Sequence, residues 1–308
     1  MGVRKAVIPA AGLGTRLYPA TKSQPKEMLP LGTKPTIQIV AEELLGAQLR
    51  NILVVIGAQK RAIANHFDPA DGLSPEDKCE QCSELFDSSL VRFCYTRQSV
   101  PKGLGDAVAH AEEYVGNEHF VVALGDCVIT GPTRSSLLKR LLQVHEDHGA
   151  AATIAVQRVS AEGTSKYGIV APVGHPDGSG VRLGDIVEKP GPEKAPSDLA
   201  VCARYAFSPV IFEHLAKVKP GYGGEVQLTD AIRSLITEGL PVYAVPLTAD
   251  EDRLDVGNFE SYAKAFVHLV LTHQELGPPL RHYAADILGR FADDGRQGKQ
   301  ESCDPQAK

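Results

Sequence analysis

Long hydrophobic runs are missing from this 308-residue sequence. No apolar stretch approaches the roughly 20 residues that a helix needs to cross a bilayer, so we expect no membrane association. Residues 1–5 lead directly into an apolar strand pattern and have none of the features of a signal peptide. The sequence therefore predicts a cytoplasmic protein.

Cysteines are scarce, six in number and irregularly spaced, which excludes a disulfide framework in a chain of this size. Cys79 and Cys82 form the one pair with the spacing of metal ligands. A structural zinc site needs two more ligands, for which Cys94 and His66 are the candidates. We interpret the pair as an incidental surface feature, with a metal site as the alternative.

An excess of positive charge is missing too. The 32 basic and 38 acidic residues give a net charge of -6, so no general nucleic-acid surface is indicated. Hydrophobic residues make up 43% of the chain, an ordinary value for a globular protein that buries a substantial core. An anionic ligand must therefore be met by cations placed locally.

The most informative segment runs from Lys5 to Arg16, with the sequence KAVIPAAGLGTR. Its apolar start is typical of a buried parallel strand. Gly12 and Gly14 can adopt a positive φ, which brings backbone N–H groups close to phosphate oxygens. Arg16 can bind phosphate bidentately, and Lys26 adds a point charge. These residues predict a site for a polyanion such as a nucleoside triphosphate, with two cations to neutralise a leaving pyrophosphate.

Two familiar glycine loops fit this segment poorly. A P-loop needs the string GxxxxGK[ST], which does not follow the strand. A dinucleotide fingerprint needs a third glycine where this chain has Leu17, and an acid near Ile56. The glycines alone leave a plain strand-to-helix turn and a ligand loop equally open, and the flanking cations favour the ligand loop.

Strand patterns alternate with helix patterns along the first half of the chain. Strands are predicted at 52–56, 91–95 and 120–124, and helices at 36–49, 59–67 and 104–115. Such alternation favours right-handed crossovers and an α/β, Rossmann-like fold, with a mixed, mostly parallel central sheet and helices on both faces. Substrates are expected at the carboxyl ends of the strands, where the glycine loop, Gln98 and Asp126 fall.

The second half is predicted to extend the same sheet. Its strands are expected at 152–156, 167–170, 200–205 and 242–245, and its helices at 227–238 and 258–273. Residues 69–89 are typical of a mobile insertion, and residues 293–308 are polar and typical of a disordered tail.

Several further motifs recur in a fixed order after the glycine loop. They are Pro19-Ala-Thr-Lys22, Pro25-Lys-Glu-Met-Leu-Pro30, Lys102-Gly-Leu-Gly105, Leu124-Gly-Asp126, Val187-Glu-Lys-Pro190, Glu225-Val-Gln-Leu-Thr-Asp-Ala-Ile232 and Asp255-Val-Gly-Asn258. The series resembles the sugar-1-phosphate nucleotidylyltransferase family, and within it the bacterial UTP:glucose-1-phosphate uridylyltransferases, over roughly residues 3–275. A series of this kind is far more specific than any single motif.

The resemblance implies in-line attack of a sugar phosphate on the α-phosphorus of a triphosphate, with no protein nucleophile. It gives Arg16, Lys26, Asp126 and Lys189 catalytic roles, and makes Asp126 and Asp255 the ligands of Mg²⁺, which suits this cation's preference for one or two carboxylates. From the residues alone, Asp126 is equally well a turn acid, and Asp255 an exposed loop acid.

The resemblance also implies which residues contact each substrate. Nucleotide-binding residues are Ala10, Ala11, Gly12, Gly14, Thr15, Gln98 and Gly103, with Gln98 offering one donor and one acceptor to the imide edge of uracil or thymine. Sugar-binding residues are Gly168, Glu188, Lys189 and Glu225. The alternatives are a surface glutamine at position 98 and a surface ion pair between Glu188 and Lys189.

The implied reaction converts UTP and glucose 1-phosphate into UDP-glucose and pyrophosphate. Residues 1–275 would form the catalytic domain, with a nucleotide half to about 130 and a sugar half beyond, and residues 276–308 a C-terminal helix and polar tail. Cys127 and Asp106 depart from the family pattern, which commonly has an acid and a histidine there. A homodimer or homotetramer is expected. The alternatives are dTTP or another hexose phosphate as substrate, or a non-catalytic regulator.

Overall fold

The computed structural model describes residues 2–68, 84–174 and 180–300. The Cys79/Cys82 pair and most of the predicted insertion lie outside these residues. The strands are β1 (Lys5–Ala10), β2 (Pro30–Leu31), β3 (Lys34–Pro35), β4 (Asn51–Ile56), β5 (Arg92–Arg97), β6 (Phe120–Ala123), β7 (Cys127–Thr130), β8 (Ala152–Arg158), β9 (Gly168–Pro172), β10 (Val181–Glu188), β11 (Leu199–Phe207), β12 (Val242–Pro246) and β13 (Asp252–Asp255). The helices are α1 (Thr36–Gly46), α2 (Arg61–Phe67), α3 (Leu104–Ala109), α4 (Glu112–Val115), α5 (Ser136–Asp147), α6 (Ile211–Leu215), α7 (Leu228–Thr237), α8 (Phe259–Thr272) and α9 (Gly277–Gln300).

One nine-stranded sheet organises the molecule, in the order β5-β4-β1-β6-β11-β8-β12-β10-β9. Parallel pairing joins β5, β4, β1 and β6, and recurs between β8 and β12. The other neighbouring strands pair antiparallel. The mixed α/β class is confirmed, but the prediction of a mostly parallel sheet is wrong, because antiparallel neighbours are as many as parallel ones among the described strands. The parallel run is concentrated in the half that contains the glycine loop. The carboxyl ends of β1, β4, β5 and β6 therefore meet at one edge, where the loops that follow them form the site.

The sheet is buried on both faces because helices cover each side. Successive residues of β1 illustrate this arrangement, since Val7 joins the core beneath α3 and α7, whereas Ile8 joins the core beneath α1 and α5. Both residues are fully buried. An uninterrupted apolar strand such as β1 is what a sheet covered on both faces requires.

Most predicted elements are present, and two predictions are wrong in detail. The helix expected over 104–115 is two short helices, α3 and α4, because the chain turns at His110 and Ala111. The tail expected to be disordered from 293 continues as helix to Gln300, since an existing helix gains a hydrogen bond for each residue added. Residues 301–308 lie outside the described part. Within that part, no helix combines the length and the apolar character needed to cross a membrane.

Candidate active site

The glycine loop between β1 and a short 3-10 helix at Thr15–Leu17 forms one wall of the site. Gly14 has the positive φ that the sequence predicts, 69°. It also occupies the N-cap position of this helix. The prediction of a positive φ at Gly12 is wrong, because Gly12 lies outside the left-handed region. A Cβ built at Gly12 would lie 3.7 Å from Lys26 Nζ. Its lack of a side chain therefore leaves room beside the ammonium group.

Lys26 lies in a second 3-10 helix, Lys26–Met28, and its ammonium group donates a hydrogen bond to Asp126. Burial lowers the pKa of Lys26, but the negative charges of Asp126 and Glu27 outweigh it, and the net pKa is raised. The next residue, Glu27, is 1% exposed and accepts hydrogen bonds from Lys60 Nζ at 2.7 and 2.8 Å. This buried pair holds the short helix that presents Lys26 to the cleft.

Pairing of β7 with β13 brings two distant carboxylates together. Asp255 is opposite Cys127 in the antiparallel register, and Val256 N–H donates to the Asp126 carbonyl at 2.9 Å. Asp126 is thus a turn residue with a fixed backbone, next to the end of β13. The sequence showed no sign of this pairing, because the two partners are separated by more than a hundred residues.

The electrostatics of the two acids differ. Burial favours the neutral form of Asp126, but the Lys26 ammonium group outweighs it and lowers the pKa of that carboxyl. Burial raises the pKa of Asp255, and the negative charge of Asp126 adds to the increase. A hard divalent cation would offset the repulsion between two partly buried carboxylates that lie close together. The donor set fits Mg²⁺, which uses one or two carboxylates together with phosphate oxygens and water.

The predicted sugar-binding residues Gly168, Glu188 and Lys189 lie where β9 begins and β10 ends. Gly168 is paired with Glu188, whose carboxylate accepts a hydrogen bond from Thr229 Oγ1 at 2.6 Å. Lys189 Nζ lies 3.2 Å from the Glu188 carboxylate. Lys189 also has a φ of 46°, a left-handed conformation that is strained for a residue with a side chain. Strained backbone of this kind is concentrated at functional sites, which supports the prediction for this lysine.

Gln98 follows β5 and is 3% exposed, so the surface-glutamine alternative is excluded. Its Nε2 donates to the Gly103 carbonyl at 3.1 Å and to Asp106 Oδ2 at 2.7 Å. Gly103 has a φ of 106°, and a Cβ there would lie 2.6 Å from the Val226 carbonyl oxygen. Glycine is therefore required at this position for conformation and for space alike.

A cleft of about 610 Å³ joins these parts. Its lining includes the predicted site residues Ala11, Gly12, Gly14, Thr15, Arg16, Lys26, Gln98, Gly103, Asp126, Lys189 and Glu225. Ala10 and Glu188 are each next in sequence to a lining residue, and Asp255 lies beside Gly257 of the lining. Gly168 lies outside the lining and is paired with Glu188. The structure thus brings residues from both halves of the chain to one cavity.

Arg253 is a site residue that the sequence prediction missed. Its guanidinium group lies 4.4 Å from the centre of the Tyr167 ring and donates hydrogen bonds to Cys127 Sγ and Asp255 Oδ1, both at 3.3 Å. It therefore connects β7 and β13 to the loop before Gly168. One signal was available, since residues 253 and 255 share a face in any strand.

A model of the nucleotidyl transferase family matches residues 5–270. Among curated proteins, the UTP–glucose-1-phosphate uridylyltransferase 2 of Streptococcus pyogenes serotype M3 is 44% identical over 291 residues, which is 92% of this chain and 96% of that relative. A second S. pyogenes protein, named UTP–glucose-1-phosphate uridylyltransferase, is 44% identical over 287 residues, covering 91% of this chain and 93% of its own length.

Comparison with solved structures shows that the fold is similar to that of UDP-glucose pyrophosphorylases. A UDP-glucose pyrophosphorylase complexed with UDP-glucose aligns with a TM-score of 0.78 at 35% identity, over 86% of this chain and 98% of that one. A UTP-bound enzyme of the same kind from Acinetobacter baumannii aligns with a TM-score of 0.82 at 33% identity, over 92% and 99%. The matches cover both halves of the cleft, and the chain belongs to the nucleotidyl transferase family.

Proposed function

We propose that the protein transfers a uridylyl group from UTP to glucose 1-phosphate, giving UDP-glucose and pyrophosphate. The observation that carries this proposal is the single cleft in which Arg16, Lys26 and Asp126 meet Lys189 of the sugar half. The cleft thus contains cations from both halves of the chain together with Asp126, which supports a reaction between two phosphate-bearing substrates. The relatives at 44% identity, whose names state this reaction, support the same choice of substrates.

In the proposed reaction, a phosphate oxygen of glucose 1-phosphate attacks the α-phosphorus of UTP. A new P–O bond forms as the bond to the β-phosphate oxygen breaks, and pyrophosphate leaves with the electron pair. Lys189 orients the attacking phosphate, while Arg16 and Lys26 stabilise the charge that grows on the leaving group. Positioning and neutralisation of charge are enough, because both reacting groups belong to the substrates.

Asp126 and Asp255 would hold Mg²⁺ in the working enzyme. The cation would supply additional neutralisation of the triphosphate charge, which otherwise repels the incoming sugar phosphate. Arg253 donates a hydrogen bond to the Asp255 carboxylate, and the pairing of β7 with β13 fixes the backbone of Asp126. The residues around the acids therefore keep both carboxylates in place before a substrate arrives.

The remaining contacts divide between the base and the sugar. We assign the loop residues Ala10, Ala11, Gly12, Gly14 and Thr15 to the nucleoside and its phosphates, and Gln98 with Gly103 to the base. Gly168, Glu188 and Glu225 are assigned to the hexose. Glu188 already accepts a hydrogen bond from Thr229, and its carboxylate lies 3.2 Å from Lys189 Nζ. The carboxylate therefore has a defined position in which to accept hydrogen bonds from hexose hydroxyl groups.

An assay of pyrophosphate release with four nucleoside triphosphates and several sugar 1-phosphates tests the proposal. We expect efficient turnover with UTP and glucose 1-phosphate in the presence of Mg²⁺ and poor turnover with ATP. Preference for dTTP or for another hexose phosphate would change the assigned substrate but leave the proposed type of reaction unchanged. Tight binding of UDP-glucose without any pyrophosphate release would identify a regulator instead of an enzyme.

Replacement of Lys189 by Ala is expected to raise the KM for glucose 1-phosphate about tenfold or more, since the ammonium group already meets the sugar phosphate in the bound ground state. The KM for UTP should change much less. Lys166 is an exposed lysine near the start of β9 and provides the control, so Lys166→Ala should leave both constants unchanged. Equal increases in the two KM values would contradict the assignment of Lys189 to the sugar phosphate.

We also propose a cytoplasmic location, in keeping with the bacterial metabolic enzymes that the chain is similar to, and a homo-oligomer, because α9 exposes several large apolar side chains. Tyr283, Leu288 and Phe291 are 62%, 68% and 70% exposed, and such patches commonly mark subunit contacts. Replacement of Leu288 by Glu should therefore lower the sedimentation coefficient towards that of a monomer, whereas Asp286→Asn on the same helix should not. An unchanged coefficient in the Leu288 variant would exclude α9 from the contact.

A further inference from the structure

The Gln98 side chain has an orientation that its neighbours dictate. Its Nε2 donates to the Gly103 carbonyl oxygen and to the Asp106 carboxylate, at 3.1 and 2.7 Å. A carbonyl and an ionised carboxylate both act only as hydrogen-bond acceptors. Both hydrogens of the amide nitrogen are therefore engaged. Because only the nitrogen can donate to these two acceptors, their positions determine which way the amide group is turned.

The opposite orientation would be costly. A flip of the amide would turn Oε1 towards two acceptors in a place where Gln98 is only 3% exposed, and would leave those acceptors without the donor that satisfies them. The Gly103 carbonyl cannot move aside easily, because its backbone conformation and its fit against Val226 both depend on glycine. Asp106 lies in the first turn of α3 and is held there by the helix.

We propose that Asp106 is a positioning residue that makes Gln98 select the base of the nucleotide. With the nitrogen held by Asp106 and Gly103, the amide offers its carbonyl oxygen to the ligand. The prediction that Gln98 presents both a donor and an acceptor to the base is therefore wrong for this chain. The inference rests on the proposed function, since it assumes that Gln98 faces the base of the triphosphate.

An acceptor at this place discriminates between the two pyrimidines. The ring nitrogen N3 of uracil carries a hydrogen and can donate to the Gln98 carbonyl, whereas N3 of cytosine is itself an acceptor. A cytosine base would place its N3 acceptor against the buried Gln98 carbonyl oxygen, and rejection by an unpaired buried polar group is strong. Asp106 would thus favour UTP over CTP without touching either nucleotide.

The test compares UTP with CTP in Asp106→Asn, in Gln98→Ala and in the double variant. The Asn side chain has nearly the same shape but can donate to Gln98 Oε1, which removes one of the two acceptors that oppose the flipped amide. We expect the ratio of kcat/KM for UTP to that for CTP to fall about tenfold or more in Asp106→Asn. In the Gln98→Ala background the same substitution should leave the ratio unchanged, because Asp106 acts through Gln98. Glu112→Gln, on the neighbouring helix, is the control.

Two results would overturn the inference. The first is an unchanged UTP to CTP ratio in Asp106→Asn and in a second variant, Asp106→Ala, when circular dichroism shows both to be folded. The second is an equal fall in the ratio with and without Gln98. Calorimetric Kd values for UTP and CTP give the same ratio without turnover. A wild-type protein that releases no pyrophosphate would therefore refute the proposed function and still leave the role of Asp106 to be decided by binding.

Discussion

Replacement of Asp126 by Asn is expected to lower kcat by at least about a hundredfold, the size of effect found when a main group for charge stabilisation is removed from an active site. Asp126 is the acid whose backbone is fixed by β13 and whose carboxylate binds Lys26. The amide keeps the shape of the side chain but loses the charge that attracts Mg²⁺. We therefore also expect the Mg²⁺ concentration for half-maximal rate to rise.

A matched acid on β13 serves as the control. Asp252 is exposed and lies on the same strand as Asp255 but outside the cleft. Turnover of Asp252→Asn should remain within about twofold of the wild-type value, as for an ordinary surface substitution. If Asp126→Asn retained near-normal turnover with an unchanged Mg²⁺ dependence, Asp126 could not be the principal metal ligand.

Replacement of Glu43 by Gln is expected to destabilise the fold by about 3–5 kcal/mol, the cost of leaving a buried charge without its partner. Arg204 is fully buried, and its guanidinium group donates to Glu43 at 2.6, 3.0 and 3.2 Å. It also donates to the Cys127 carbonyl at 2.9 Å. The loss should appear as a lower denaturant concentration at the unfolding midpoint.

An exposed ion pair on α8 provides the comparison. Glu260 and Lys264 are 77% and 74% exposed in their side chains, so Glu260→Gln should change stability by less than about 1 kcal/mol. Combining Glu43→Leu with Arg204→Met removes both charges and should recover part of the stability lost in Glu43→Gln. Equal unfolding midpoints for Glu43→Gln and Glu260→Gln would mean that the buried Arg204 charge does not need Glu43 for its stabilisation.

The parallel half of the fold was largely predictable, because its elements have strong local patterns. Strands β1, β4 and β6 are short, mostly apolar runs, and β5 has an apolar centre at 93–95. The helices between them follow from ordinary periodicity. Strands β7 and β13 have four residues each and leave little signal in the sequence. Their existence depends on their pairing with each other, which local propensity does not encode.

In the site too, local sequence patterns did not reveal the residues whose roles depend on contacts between distant parts of the chain. Motifs identified the loop cations, Asp126 and Lys189, and the structure brings them together in one cleft, with Asp255 beside its lining. Arg253 and Asp106 were not assigned, since their roles arise from contacts with Cys127, Asp255 and Gln98 that form only in the folded chain. Residues that contact a ligand tend to occur in recognisable strings, whereas residues that support them are defined by three-dimensional neighbours.

The position of β11 in the sheet has a consequence for the synthesis of this protein. β11 lies between β6 and β8 and forms hydrogen bonds with one edge of β6. β6 ends at residue 123 and β11 only at residue 207, so this edge of β6 stays unpaired until much more of the chain has been made. A nascent chain that stops near residue 130 would expose the apolar edge of β6, and exposed edges invite pairing with other chains. We therefore expect truncated fragments to aggregate, and the ribosome-bound chain to depend on holding chaperones until β11 has emerged.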